Sequence, residues 1–242
     1  MLPCVPREAI CMDIYIGIHG TFNIGGLEIW ITDTMISSWI IMGVLIAFAI
    51  AVRIHMRSWK DVPTGFQNAI EGIVELFDWY LRTTAGDKLM FLGNWFFTVF
   101  SFILLNNLCG MIPGFRPATA DWSMTFPLAI VTFVLIQVMG VWYRKGEYIA
   151  NFFKPVFPFF ILNLLGELAR PISLSFRLFG NLLSGLVMMA LIYNIAPVFI
   201  RFILPAALHA FFDVFYGVLQ TYIFCTLSMS FIYSSSQVAE KQ

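Results

Sequence analysis

The chain has 242 residues, 60% of them hydrophobic and only 12% charged, and its 14 basic and 14 acidic side chains balance to a formal net charge of zero. Soluble domains carry roughly twice that share of charge, so the composition excludes an ordinary soluble enzyme and marks an integral membrane protein. A neutral chain also lacks the basic surface with which nucleic-acid binders neutralise phosphates, so no nucleic-acid partner is expected.

Residues 1–32 form an external N-terminal segment. Gly17, Gly20, Gly25 and Gly26, with the polar residues around them, read as an irregular lead-in. This stretch lacks the basic start and early apolar core of a cleavable signal peptide, so the membrane helices themselves are the expected targeting signal. The first span covers 33–53 and is closed by Arg53, His55, Arg57 and Lys60; about 20 apolar residues suffice to cross a hydrocarbon core. Thr64 and Gln67 are then spaced as a capping box, and an amphipathic helix is predicted over 64–84. Phe66, Ala69, Ile70, Ile73, Val74, Phe77, Tyr80 and Leu81 recur at helical spacing, with Gln67, Asn68, Glu71, Glu75, Asp78 and Arg82 on the other face. That helix is too polar to span and is expected to lie at the membrane surface, or else against a soluble partner subunit.

The second and third spans occupy 94–143, as Trp95–Ile112 and Met124–Tyr143, with a Pro/Gly-rich turn between them. Trp95, Trp122, Trp142 and Tyr143 fall at span ends, where interfacial aromatics belong. Asn106 and Asn107 are expected to cap the second span or bond a neighbouring helix, rather than to line water. A run from about Phe157 to Tyr193 would reach about 55 Å as one helix, so it must tilt steeply or kink, and Pro171 offers the kink. A turn near 194–205 leads into the last helix, the two forming a hairpin over 157–234, and residues 235–242 form a cytoplasmic tail. The fold class is therefore an all-α polytopic membrane protein in a single domain. It has five membrane-crossing helices and one amphipathic interfacial helix, and its last two long helices make a steeply tilted hairpin.

Five passes put the termini on opposite sides. Arg53, Arg57, Lys60, Arg82, Lys88, Arg144, Lys145, Lys154 and Lys241 then share one side, and only Arg7, Arg116 and Arg201 the other. The positive-inside rule makes the first side cytoplasmic and the N-terminus external. Cys4, Cys11, Cys109 and Cys225 are scattered, with no CxxC pair or His/Cys cluster, so inert thiols are expected. No Walker loop, Rossmann glycine pattern or nucleophile elbow occurs, and no cofactor, metal or nucleotide chemistry is expected.

Three charges lie within the long apolar run: Glu167, Arg170 and Arg177. A charge at the centre of a membrane helix costs from about 2.5 to over 10 kcal/mol. Glu167 and Arg170, three apart, are expected to neutralise each other in part, whereas Arg177 has no acid within four positions. About a turn centred near 198–199, Gln220 lies at the depth of Arg177, to within one helical turn. His209 and Asp213 lie toward the outside, Asn181 one turn outward from Arg177, and Ser173 one turn inward. Ser173, Gly180 and Ser184 make the face around Arg177 small. That face reads either as packing within the chain or as docking for a subunit that supplies the missing carboxylate.

At S-L-S-F-R-L-F-G-N, residues 173–181, the sequence resembles the signature of the a subunit of bacterial-type rotary F-type ATP synthases. The match extends to Pro171, to Gln220, and to L-L-N-N-L-C-G-M-I-P-G at 104–114, and covers roughly Trp95 to Tyr233. The resemblance implies a non-catalytic stator in the bacterial plasma membrane, beside a rotating c-subunit ring and a b-subunit peripheral stalk. It would pass H⁺ or Na⁺ through two half-channels, with membrane lipid around it, and so take part in ATP synthesis. It places the essential arginine at Arg177, with Asn181 and Gln220 as its polar partners. Two departures stand out: Leu186 where many relatives have a glutamate, and Asp213 where some have a histidine. Asp213, with His209, is therefore expected to serve the outer half-channel, and Glu167 the inner one. The competing reading is a self-contained secondary transporter using the Arg177/Asp213 region; a purely structural anchor would leave Arg177 unexplained.

Overall fold

The computed structural model describes residues 18–24, 27–59, 65–110, 112, 115–145, 159–195, 204, 208 and 210–237. It begins with two strands, β1 (Ile18–Ile24) and β2 (Leu27–Thr32), paired antiparallel from Ile24↔Leu27 to Ile18↔Thr32. Part of the irregular lead-in expected here, over 18–32, is thus a β-hairpin. Its two strands are joined by Gly25 and Gly26, and a glycine pair between strand-like runs is itself a hairpin signal.

Six helices follow. Helix α1 (Asp33–His55) leaves Trp39, Ile40, Val44, Ile46, Phe48, Ile50 and Ile54 exposed, the pattern of a span apolar on nearly all sides and surrounded by lipid. Helix α2 (Phe66–Ala85) starts after Gly65, whose φ of 59° suits a residue without a Cβ. Thr64 of the expected capping box lies outside the described residues, and the Gln67 amide donates to Glu71 at 2.9 Å. The C-terminal part of α2 buries Phe77, Leu81 and Ala85, while Ile73, Leu76 and Trp79 stay exposed. Helix α3 (Gly93–Cys109) is entered through a 3₁₀ segment, Asp87–Leu92, and α4 spans Trp122–Arg144. Asp121 caps α4 by accepting from the Ser123 amide at 2.9 Å and also accepts from Thr34 at 2.9 Å.

Helix α5 (Phe159–Ile195) runs 37 residues without a break through Pro171. At 1.5 Å per residue that is about 55 Å, the length the sequence required. A π-helical segment, Ala210–Tyr216, passes directly into α6 (Gly217–Gln237). Five of these helical stretches are long and apolar enough to cross a membrane, which makes this a multi-pass membrane protein with an all-α bundle. Thr34 at the start of α1 meets Asp121 at the start of α4, and Tyr143 at the end of α4 meets the Lys88 carbonyl before α3. Successive spans therefore run in opposite directions.

The core lies where α3, α4, α5 and α6 meet, through Phe96, Ile103, Ala129, Ile136, Leu178, Phe224 and Ile232. Helix α4 packs broadly on both α5 and α6, whereas α5 and α6 touch each other only sparsely. The terminal hairpin is thus held together mainly by a third helix. Hydroxyls inside the spans return to their own helix, as Thr132 does to the Leu128 carbonyl at 3.0 Å and Ser228 to Phe224 at 2.7 Å. No hydroxyl so bonded needs water in the hydrocarbon. Tyr80 ties α2 to α6 through a 2.6 Å bond with Thr226. Burial pushes its phenol up to about 12, so it stays protonated across the physiological range.

Candidate ion-path site

Arg177 is half-buried on α5, and no hydrogen bond or ion pair joins it to another described residue. Its helix carries polar groups in both directions along the axis, and a cavity opens on each side. Toward the start of α5, Gly166, Arg170, Ser173 and Arg177 face Leu227 and Phe231 of α6 across about 230 Å³. Toward its end, Asn181, Gly185 and Leu186 face Tyr216, Gly217 and Gln220 across about 90 Å³, closed by Asn107 and Arg116. The two cavities share no lining residue, and Arg177 belongs to the first.

The cavity toward the end of α5 is built on amides. Asn181 Nδ2 donates to Gln220 Oε1 at 2.7 Å, linking α5 to α6. Gln220 is only 4% exposed, and its Nε2 has no partner among the described residues. Gln220 thus stands level with Asn181, one turn from Arg177 and within the one-turn margin of the expectation. The Arg170 guanidinium lies 5.0 Å from the Phe231 ring centre. The midpoint of 170 and 231 and the midpoint of 181 and 220 are the same, 200.5. The residue level with Arg177 is therefore near Phe224, one turn beyond Gln220. Two causes act in this direction: α5 continues to Ile195, and the π-helical turn rises less per residue than an α-helical one.

At the other cavity, Glu167 meets Arg170 in an ion pair of 2.8 Å and accepts from Gln137 of α4 at 3.2 Å. Glu167 does not itself line that cavity; Arg170 does. Of the small residues around Arg177, Ser173 and Ser184 are exposed. A Cβ added to Gly180 would meet nothing within 4 Å, so none of the other described helices packs over that point. His209 lies outside the described residues, as does the side chain of Asp213, whose backbone belongs to the π-helical segment. Leu186 does line the cavity toward the end of α5.

The sequence did not single out Gln137, Arg116 or Asn107 as parts of the site. Arg116 and Gln137 carry no local pattern, since their place depends on how separate helices pack. Asn107 was visible as a polar residue at a span end, and here it bonds a neighbouring helix, through Gly217 and Thr221. Asn106 bonds its own helix at Phe102 and accepts from the Ala118 amide in the following turn.

Fold and site together define a multi-pass membrane protein with two separate cavities between its last two long helices, one of them lined by Arg177. The sequence pattern of the family described as "ATP synthase A chain" matches residues 35–233. The chain is 33% identical over 214 residues to ATP synthase subunit a of Moorella thermoacetica, covering 87% of this chain and 93% of that one. It is 32% identical over 232 residues to its counterpart from Acidothermus cellulolyticus, covering 92% and 83% respectively. Subunit a of Citrifermentans bemidjiense is 33% identical over 215 residues, covering 86% of this chain and 89% of that one. The chain belongs to the ATP synthase a-subunit family, whose members are the ion-translocating, non-catalytic stator component of the complex.

Proposed function

We propose that Arg177 separates two aqueous half-channels that carry H⁺ or Na⁺ to and from the carboxylates of a c-subunit ring. The observation that carries this reading is the pair of cavities with no common lining, one ending at Arg177 and the other beginning a turn beyond it at Asn181. A guanidinium stays charged at any working pH. It attracts a ring carboxylate that has lost its ion, and it repels a cation moving straight from one cavity to the other. Ions then have to travel with the ring, and transport is coupled to rotation.

Asn181 and Gln220 serve the outer half-channel in this reading, with Asp213 and His209 on the approach to it. On the inner side Arg170 lines the path, and Glu167 acts through Arg170 by holding it. Ser173, Gly180 and Ser184 form the ring-facing surface, which the exposure of Ser173 and Ser184 and the open space at Gly180 support. A b-subunit stalk holds the subunit still. The nine-to-three distribution of basic residues supports a bacterial plasma-membrane topology with the N-terminus external and the C-terminus cytoplasmic.

The test is Arg177→Ala in the assembled complex, reconstituted in vesicles. ATP-driven ion uptake and coupled synthesis are expected to vanish while the ring and stalk still co-purify; normal coupled transport would overturn the reading. Asp213→Asn is expected to impair ion entry, and an unchanged response to outer pH or sodium would remove Asp213 from the path. The purified chain alone is expected to transport nothing, whereas a secondary transporter would show substrate-coupled flux.

A further inference from the structure

We infer that Asn107 is a positioning residue for Gln220: it clamps the start of α6 and so fixes where the Gln220 amide points. This rests on the half-channel reading above.

Asn107 is 1% exposed and lies at the end of α3, on a different helix from either polar partner of the path. Both ends of its amide are engaged. Nδ2 donates to the Gly217 carbonyl at 3.1 Å and to Thr221 Oγ1 at 3.3 Å, and Oδ1 accepts from Thr119 Oγ1 at 2.8 Å. Thr221 returns its own proton to the Gly217 carbonyl at 2.8 Å. The residues held, 217 and 221, bracket Gln220 on the same turn. The contact is close because position 217 is glycine: a Cβ there would stand 2.9 Å from Asn107 Cβ, which real structures essentially never show.

The clamp sits at a consequential point. Gly217 is the first residue of α6, immediately after the π-helical segment Ala210–Tyr216. A π-helical turn holds an extra residue, so a segment that gained or lost one would rotate everything after it by about 100°. Gln220 would then leave Asn181 and the cavity. Asn107 binds the backbone carbonyl at the junction, where such a rotation would begin. Thr119, in the turn before α4, completes the bracket, so three parts of the chain agree on one azimuth for Gln220.

Asn107→Leu keeps the side-chain size and removes every bond. In the reconstituted holo-complex it is expected to lower ATP-driven ion uptake roughly tenfold, in keeping with the sensitivity of oriented groups to small displacements. The decisive readout is coupling between sites. In a Gln220→Leu background, Asn107→Leu is expected to cause no further loss. In a Glu167→Gln background, at the other cavity, it is expected to keep its full effect. Thr119→Val removes a single bond, is expected to act in the same direction more weakly, and applies the same comparison should Asn107→Leu fail to assemble. Equal fold-losses in all backgrounds, or wild-type uptake in Asn107→Leu, would overturn the inference. Wild-type uptake in Gln220→Leu alone would overturn the parent reading instead.

Discussion

Glu167 accepts from Arg170 on its own helix and from Gln137 on α4, while Arg170 lies over the Phe231 ring of α6. One carboxylate thereby joins three helices without lining either cavity, and on the proposed reading it acts on transport through the guanidinium it holds. The pair is partly exposed, at 33% for Arg170 and 15% for Glu167, so it is worth less than a fully buried one. Glu167→Gln is expected to lower stability by about 1 kcal/mol and to reduce transport without abolishing it. Thermal unfolding of the purified complex and vesicle uptake measure the two effects separately. Arg177 differs in kind: with no described partner to lose, its replacement is expected to leave unfolding unchanged while ending coupling.

At the scale of elements, two contacts tie α6 to α2 and α3. Tyr80 bonds Thr226 from α2, and Gly217 abuts Asn107 from α3. Tyr80→Phe removes one hydrogen bond and is expected to cost roughly 0.5–1.5 kcal/mol, read as earlier thermal release of α2 by hydrogen exchange. Gly217→Ala forces a Cβ against Asn107 and is expected to be the more damaging change, by overpacking costs of roughly 1–3 kcal/mol. The long helices were legible in the sequence because sustained apolar runs have few alternatives, and the 37-residue length of α5 follows from that run. The pairing of Glu167 with Arg170 was legible because i,i+3 neighbours meet on any helix. Four things were not: the β-hairpin, the π-helical turn, the one-turn offset of Gln220, and the Asn107–Gly217 contact. The hairpin hid behind its glycines, although Gly25–Gly26 was its signal. The π-helical turn leaves no local pattern, and the offset follows partly from it. The contact joins residues 110 positions apart, and no periodicity reports it.

In the whole molecule, α4 is the common support of α5 and α6, and the two cavities between those helices depend on it. Around Arg177 the chain presents Ser173, Gly180 and Ser184, with none of the described residues above Gly180. Surface of this kind has an uneven sensitivity to change. Gly180→Leu meets open space, so the folded subunit is expected to unfold at the wild-type temperature and even to express normally. Yet a neighbour sliding past that face would strike four added carbons on every step, and turnover is expected to fall severely. A wild-type rotation rate in Gly180→Leu would show that nothing passes there. A survey of variants ranked by stability alone would class Gly180 among the most tolerant positions in the chain. On the proposed reading the open ground beside Arg177 is clearance, and clearance is a property that only a moving neighbour can test.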